Sequence, residues 1–191
     1  MNYRDIAFSK AKEYGLEIVE DYQFEEDKYI RVQARLDGKR ILLDHPVQDA
    51  KDMLTVFHEI GHFVLGHSKK PIDLSSADRL VQSVIDWMNQ EISAFDKAFE
   101  LASDITFDRE TIKDFIGTLY SHILWASFFI LDHVKGAEEQ IEHLRKQWYE
   151  RLIDILMRYN LVGSEEEATE FMRKAFLELS LKDHRKKDSP L

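Results

Sequence analysis

One short string sets the strongest limit on this chain: His58-Glu59-Ile60-Gly61-His62 lies inside a segment with helical apolar spacing. Asp44-His45-Pro46 opens that segment, with Pro46 at a tolerated first-turn position, and Gly66 closes it. Leu54, Phe57, Val64 and Leu65 carry the apolar spacing, so a helix is expected there without reference to the histidines. Residues four apart share one helix face, so both imidazoles can reach a single ion. Neutral imidazole suits zinc, and the pair fills half of a tetrahedral shell. Glu59 points to the side of that pair. Zinc acidifies water, and Glu59 can accept the proton as general base and pass it to a leaving amine. By chance the string arises in roughly a few per cent of such chains, and the independent helical context lowers that further.

The chain has no cysteine, which excludes disulfides, thiolate metal sites and a cysteine nucleophile. A third protein ligand must then be His, Asp or Glu. The position where one large class of zinc peptidases carries a third histidine is Ser68 here. His67 falls about 180° from His58 on an ideal helix, and it reads as a polar residue at the negative helix end. The next helix, capped by Ser75 or Ser76 and running to about Ser103, offers Glu91 and Glu100. Leu80, Val84, Ile85, Met88, Ile92, Phe95, Phe99 and Ala102 define its buried stripe. Glu91 lies roughly 40° from the stripe's centre and Glu100 roughly 140°. An acid inside an apolar stripe is costly unless paired or metal-bound, so phase favours Glu91 as the ligand. Glu100, among Asp96, Lys97 and Asp104, reads as part of a solvated face and stays the alternative.

The 191 residues fit one domain with an extension. A helix is expected over 3–14 with Gly15 as its stop, and strands over 16–20, 29–35 and 40–43, the last two joined at the hairpin signal Asp37-Gly38. From Arg109 the pattern stays helical, punctuated by Gly136 and Gly163, with a capping box at Ser164 and Glu167 and a polar tail from Lys182. The fold class is therefore α+β to about residue 107, followed by a helical extension over 108–191. A formal net charge of -10 argues against a sequence-independent grip on nucleic acid and against an anionic membrane as partner. The N-terminus lacks the apolar run of a signal peptide. The most apolar segment, 116–131, is interrupted by Tyr120, Ser121, His122 and Ser127 and is shorter than the roughly 20 residues of a span. A cytoplasmic protein is expected.

These features together resemble the ImmA/IrrE family of small metallopeptidases. The resemblance rests on a short N-terminal helix followed by strands, on Ile41-Leu42-Leu43-Asp44 leading into the motif helix, and on the string from Thr55 to His67. Glu91-Ile92-Ser93-Ala94, with Ala98 and Leu101, is similar to the family's acid-bearing helix. It covers roughly the first 105 residues. Where the family ends that helix with a Leu-Leu-Met-Pro-like string, this chain reads Leu101-Ala102-Ser103-Asp104-Ile105. The resemblance implies a zincin-like (gluzincin-like) core in 1–107, one catalytic zinc per chain, and a Glu as third ligand. It also implies cleavage of a cytoplasmic protein substrate, in several relatives a transcriptional repressor.

The second half has no counterpart in that core. Trp125, Phe128, Phe129, Trp148, Tyr149 and Leu152 recur near helical spacing and read as packing between helices, so the extension is expected to pack on the core. His122, His133 and His143 read as isolated structural or exposed residues, with a donor from this region able to stabilise an oxyanion. The expected function is zinc-dependent peptide hydrolysis, with Glu59 catalytic and His58, His62 and Glu91 on the metal. The rival is a zincin-like binding or sensor module, antitoxin-like, which has no evident need for Glu59.

Overall fold

Asn2 accepts the N–H of Asp5 and starts α1 (Tyr3–Glu13), and Gly15, at φ 69°, turns the chain out of it. The computed structural model describes residues 1–24, 33–68 and 70–173. Three strands follow among the described residues: β1 (Glu17–Val19), β2 (Ala34–Asp37) and β3 (Arg40–Leu43), in the spatial order β1-β3-β2. β3 is central, parallel to β1 and antiparallel to β2, and Ile41, Leu42 and Leu43 are buried. Asp37 pairs with Arg40 across Gly38-Lys39, and Gly38 at φ 60° supplies the left-handed first position of a two-residue hairpin. The strand expected over 29–35 is observed from Ala34 to Asp37; its part over 29–32 lies outside the described residues, as does the tail from Lys182.

The motif helix, α2 (Ala50–Val64), starts later than Pro46 suggests. Asp49 is its N-cap, accepting the N–H of Asp52 at 2.9 Å. Residues ahead of it are held as a loop: Glu20 accepts the N–H of Val47 while pairing with Arg4, and Asp52 accepts the N–H of Gln48. His45 bridges Asp44 and Asp52. These side-chain partners hold the loop's backbone groups in place of one more helical turn.

His45 is raised above its ordinary value. Burial lowers it, but the hydrogen bonds to Asp52 and Asp44 outweigh burial. A raised folded-state value means stability fully present below about pH 6.5 and lost as pH rises through the folded value. The melting-temperature difference between wild type and His45→Gln should therefore be largest near pH 6 and shrink towards pH 8. A difference that grows with pH would reverse the assignment.

Ser76 caps α3 (Ala77–Leu101) and Asp108 caps α4 (Arg109–His133); α5 (Glu138–Arg158) follows. A further helix, α6, is described over 165–173. Ser164 caps it through the N–H of Glu167, whose carboxylate reaches back to the N–H of Gly163, one residue before the cap. One apolar cluster runs from Ala7 and Ala11 through α2 and α3 to Leu152 and Leu156. Phe95 stacks on Phe115 with centroids 4.0 Å apart, and Phe99 meets Phe115 and Tyr159. Arg151 and Arg158 of α5 reach Asn89 and Asp96 of α3. α4 is the one helix among the described residues long and apolar enough to cross a membrane, and half of its apolar window is buried inside the fold.

Candidate metal centre

Two helices carry the site, and a glycine sets how closely they approach. A Cβ built on Gly61 would stand 2.8 Å from the Ala94 carbonyl oxygen and 3.1 Å from its Cα. Only hydrogen fits between α2 and α3 at this crossing. Gly61 follows His58 by one helical turn and Ala94 follows Glu91 by one, so the same close approach brings their side chains together. Gly61→Ala should push the helices apart, destabilise the fold by about 1–3 kcal/mol and weaken metal binding. Thermal melts and metal titration check both effects; unchanged metal affinity would show that the crossing does not set the site.

His58 Nε2 lies 3.0 Å from His62 Nε2 and 3.1 Å from Glu91 Oε2, and His62 Nε2 lies 3.6 Å from the same oxygen. The three side chains form a group able to hold a metal ion. Three donors on one face of a tetrahedron around zinc stand roughly 3.3–3.5 Å apart, given bonds of about 2.0–2.2 Å. The sides of this triangle bracket that value. Burial lowers the His58 imidazole below its ordinary value, against the opposing hydrogen bond to Glu91. For Glu91, burial pushes upward, but the imidazoles of His122, His58 and His62 around it outweigh burial and hold the carboxylate well below its usual range. The set thus offers lone pairs converging in a buried space, an arrangement that repels itself unless a proton or cation lies within it. The donor set fits a metal ion.

Both acids on the second helix are placed. Glu91 is 8% exposed and joins the histidines; Glu100 is exposed and pairs with Lys97. Glu59 is also buried, and its Oε2 accepts the N–H of Leu36 at 2.7 Å. Antiparallel strands alternate the direction of their backbone groups, so this N–H points away from β3 and towards α2. The bond fixes the carboxylate beside the donor triangle.

Two histidines take other places than their sequence positions suggest. His67 is not on the far side of a continuing helix. The N–H of Gly66 bonds to Phe63 and that of His67 to His62, a Schellman ending with Gly66 at φ 65°. The chain folds back there, and His67 Nδ1 comes 2.9 Å from His62 Nδ1. Burial lowers the His67 imidazole, and its Nδ1 meets the His62 nitrogen that is turned away from the donor triangle, a contact that orients the His62 ring. His122, read from sequence as isolated, projects from α4 to 3.4 Å from Glu91 Oε2. His133 bonds to its own helix at Phe129 and His143 to Gln147, both exposed.

The site opens on a cleft of about 1800 Å³, lined by β2, α2, the 70–74 loop, α3 and α4. Thr118, His122 and Trp125 of the helical half form one wall. Gly61 had a sequence signal, a glycine inside a strongly helical pattern. The role of His122 had none, because nothing local ties α4 to α3. Comparison of the chain with family models, with curated proteins and with solved structures finds no match.

Proposed function

We propose that this protein is a zinc-dependent endopeptidase built on a zincin-like core, acting on a cytoplasmic protein, in keeping with the resemblance of its motif helix to ImmA/IrrE-type peptidases. The observation that carries this reading is the convergence of His58, His62 and Glu91 with the Glu59 carboxylate fixed alongside. Three protein ligands leave a fourth position for reactants, the pattern of catalytic rather than structural zinc. Zinc held there supplies Lewis acidity towards a peptide carbonyl and towards water.

The remaining work falls to the chain. Glu59 keeps one oxygen on the Leu36 N–H, and its other oxygen takes the proton from the attacking water and delivers it to the departing amine. His67 holds the ring of His62 and His122 stands against Glu91, so the donor set is braced from two sides. A cleft of about 1800 Å³ exceeds the roughly 300–1,000 Å³ of small-molecule sites and suits a polypeptide. Among the described residues β2 is an edge strand along that cleft, so an extended peptide can add to it through main-chain hydrogen bonds to groups other than the Leu36 N–H, which Glu59 holds. A protein substrate such as a transcriptional regulator would meet these requirements in an extended, exposed segment.

Purified protein should hold close to one zinc per chain, removable by chelator. N-terminal labelling should reveal new protein termini in cells expressing wild type, which vanish with Glu59→Gln. Zinc binding without any cleaved protein would leave a binding module; no zinc binding at all would remove the site.

A further inference from the structure

We propose that Trp87 and Trp125 form a specificity subsite that takes a large apolar side chain, aromatic or branched aliphatic, from an extended peptide segment lying in the cleft. This inference rests on the peptidase reading of the same cleft.

Trp87 of α3 and Trp125 of α4 meet edge to face with centroids 4.8 Å apart, and Trp125 stacks on Phe129 at 4.9 Å. Trp87 also packs against the His122 ring at 5.4 Å, and His122 reaches to within 3.4 Å of the Glu91 carboxylate. The aromatic wall therefore begins one side chain away from the donor triangle. Ile72 and Leu74 face the same cleft, and Leu74 is 63% exposed. Of the three tryptophans, Trp148 is core at 2% exposure, whereas Trp87 and Trp125 are half-buried and line the cleft. Half-buried indoles beside a reaction centre leave apolar area in water that an incoming side chain can cover.

Two features select the occupant. Ala34 and Leu36 of the edge strand line the cleft, and their register with Leu43 and Ile41 turns their backbone groups away from β3. Glu59 holds the Leu36 N–H, and the Leu36 carbonyl and the Ala34 backbone face an added strand. Side chains of an added strand alternate in direction, and every second one is presented to the protein. Charges of both signs line the cleft, Asp73 and Asp86 with Arg35 and Lys70, and against the indole faces an acidic side chain would lose hydration. A large neutral apolar side chain loses nothing there.

The test uses zinc-loaded, full-length Glu59→Gln protein and blocked pentapeptides of the form Ala-Ala-X-Ala-Ala, with X as Phe, Leu, Ala or Asp. Calorimetry should show Phe and Leu binding about tenfold or more tighter than Ala, with Asp weakest. The Phe peptide should shield Trp87 and Trp125 from acrylamide quenching and leave Trp148 emission unchanged. In Trp87→Ala and Trp125→Ala the ratio of Phe to Ala binding should fall to about threefold or less. The shielding measurement keeps both tryptophans, so it stands even where a substitution disturbs folding. Equal binding of Phe and Ala, no measurable binding, no shielding, or a preference that survives both substitutions overturns the inference. Cleavage by wild type is scored separately. A Trp-dependent preference without cleavage keeps the subsite and removes the peptidase; cleavage without preference does the reverse.

Discussion

Glu59→Gln should keep its zinc and lose peptide cleavage by ~10²-fold or more, the range for removal of a general base. Glutamine retains an oxygen that can accept the Leu36 N–H, so the side chain stays placed while its ability to take a proton is gone. Glu91→Ala should behave differently. It removes one of the three converging donors, leaving His58 and His62 alone. Zinc affinity should fall by more than the roughly 10–100-fold that accompanies loss of an outer partner such as His67 or His122, and activity should follow the metal. Glu100→Ala is the control, since that residue is exposed and pairs with Lys97, away from the donor triangle. Metal content and one cleavage assay on the three variants separate base from ligand. Loss of zinc in Glu100→Ala with retention in Glu91→Ala would assign the wrong acid.

Ending the chain at residue 108 should abolish folding rather than trim an appendage. Phe95 and Phe99 are each 2% exposed, and their ring partners Phe115 and Tyr159 lie in the part removed. Uncovering one such side chain forfeits about 1.5–3 kcal/mol. A few of them consume most of a typical stability of about 5–15 kcal/mol. The truncated chain should aggregate and bind a hydrophobic dye, and size-exclusion chromatography with dye fluorescence checks this. A soluble, folded 1–108 fragment that binds zinc as tightly as the full chain would make the helical half an independent module.

Much of the candidate site could be read from single helices. His58 and His62 share a face because helical phase is local, and Glu91 stands out because it is an acid inside its own helix's apolar stripe. Phase also set Glu100 on the solvated side, where it is found. Local rules gave way where side chains from elsewhere decide a boundary. Pro46 is compatible with a first turn, yet Glu20, far back in the chain, holds the Val47 N–H, and the helix waits for Asp49. His67 was placed by extending a helix past Gly66; the left-handed glycine reverses the chain, so the phase no longer applies and the imidazole returns to His62.

Helical periodicity in the sequence determined which residues share a face, and with it the pair His58 and His62, the Glu59 carboxylate beside them and the favoured acid. Which faces meet was decided only in the tertiary structure. The contact of Gly61 with Ala94 sets the spacing of α2 and α3, and the packing of α4 on α3 delivers His122 and Trp125 to the cleft. A side chain's direction on its own helix follows from backbone geometry over a few residues. The partner it finds across a helix crossing depends on the packing of every residue between, which no local spacing encodes.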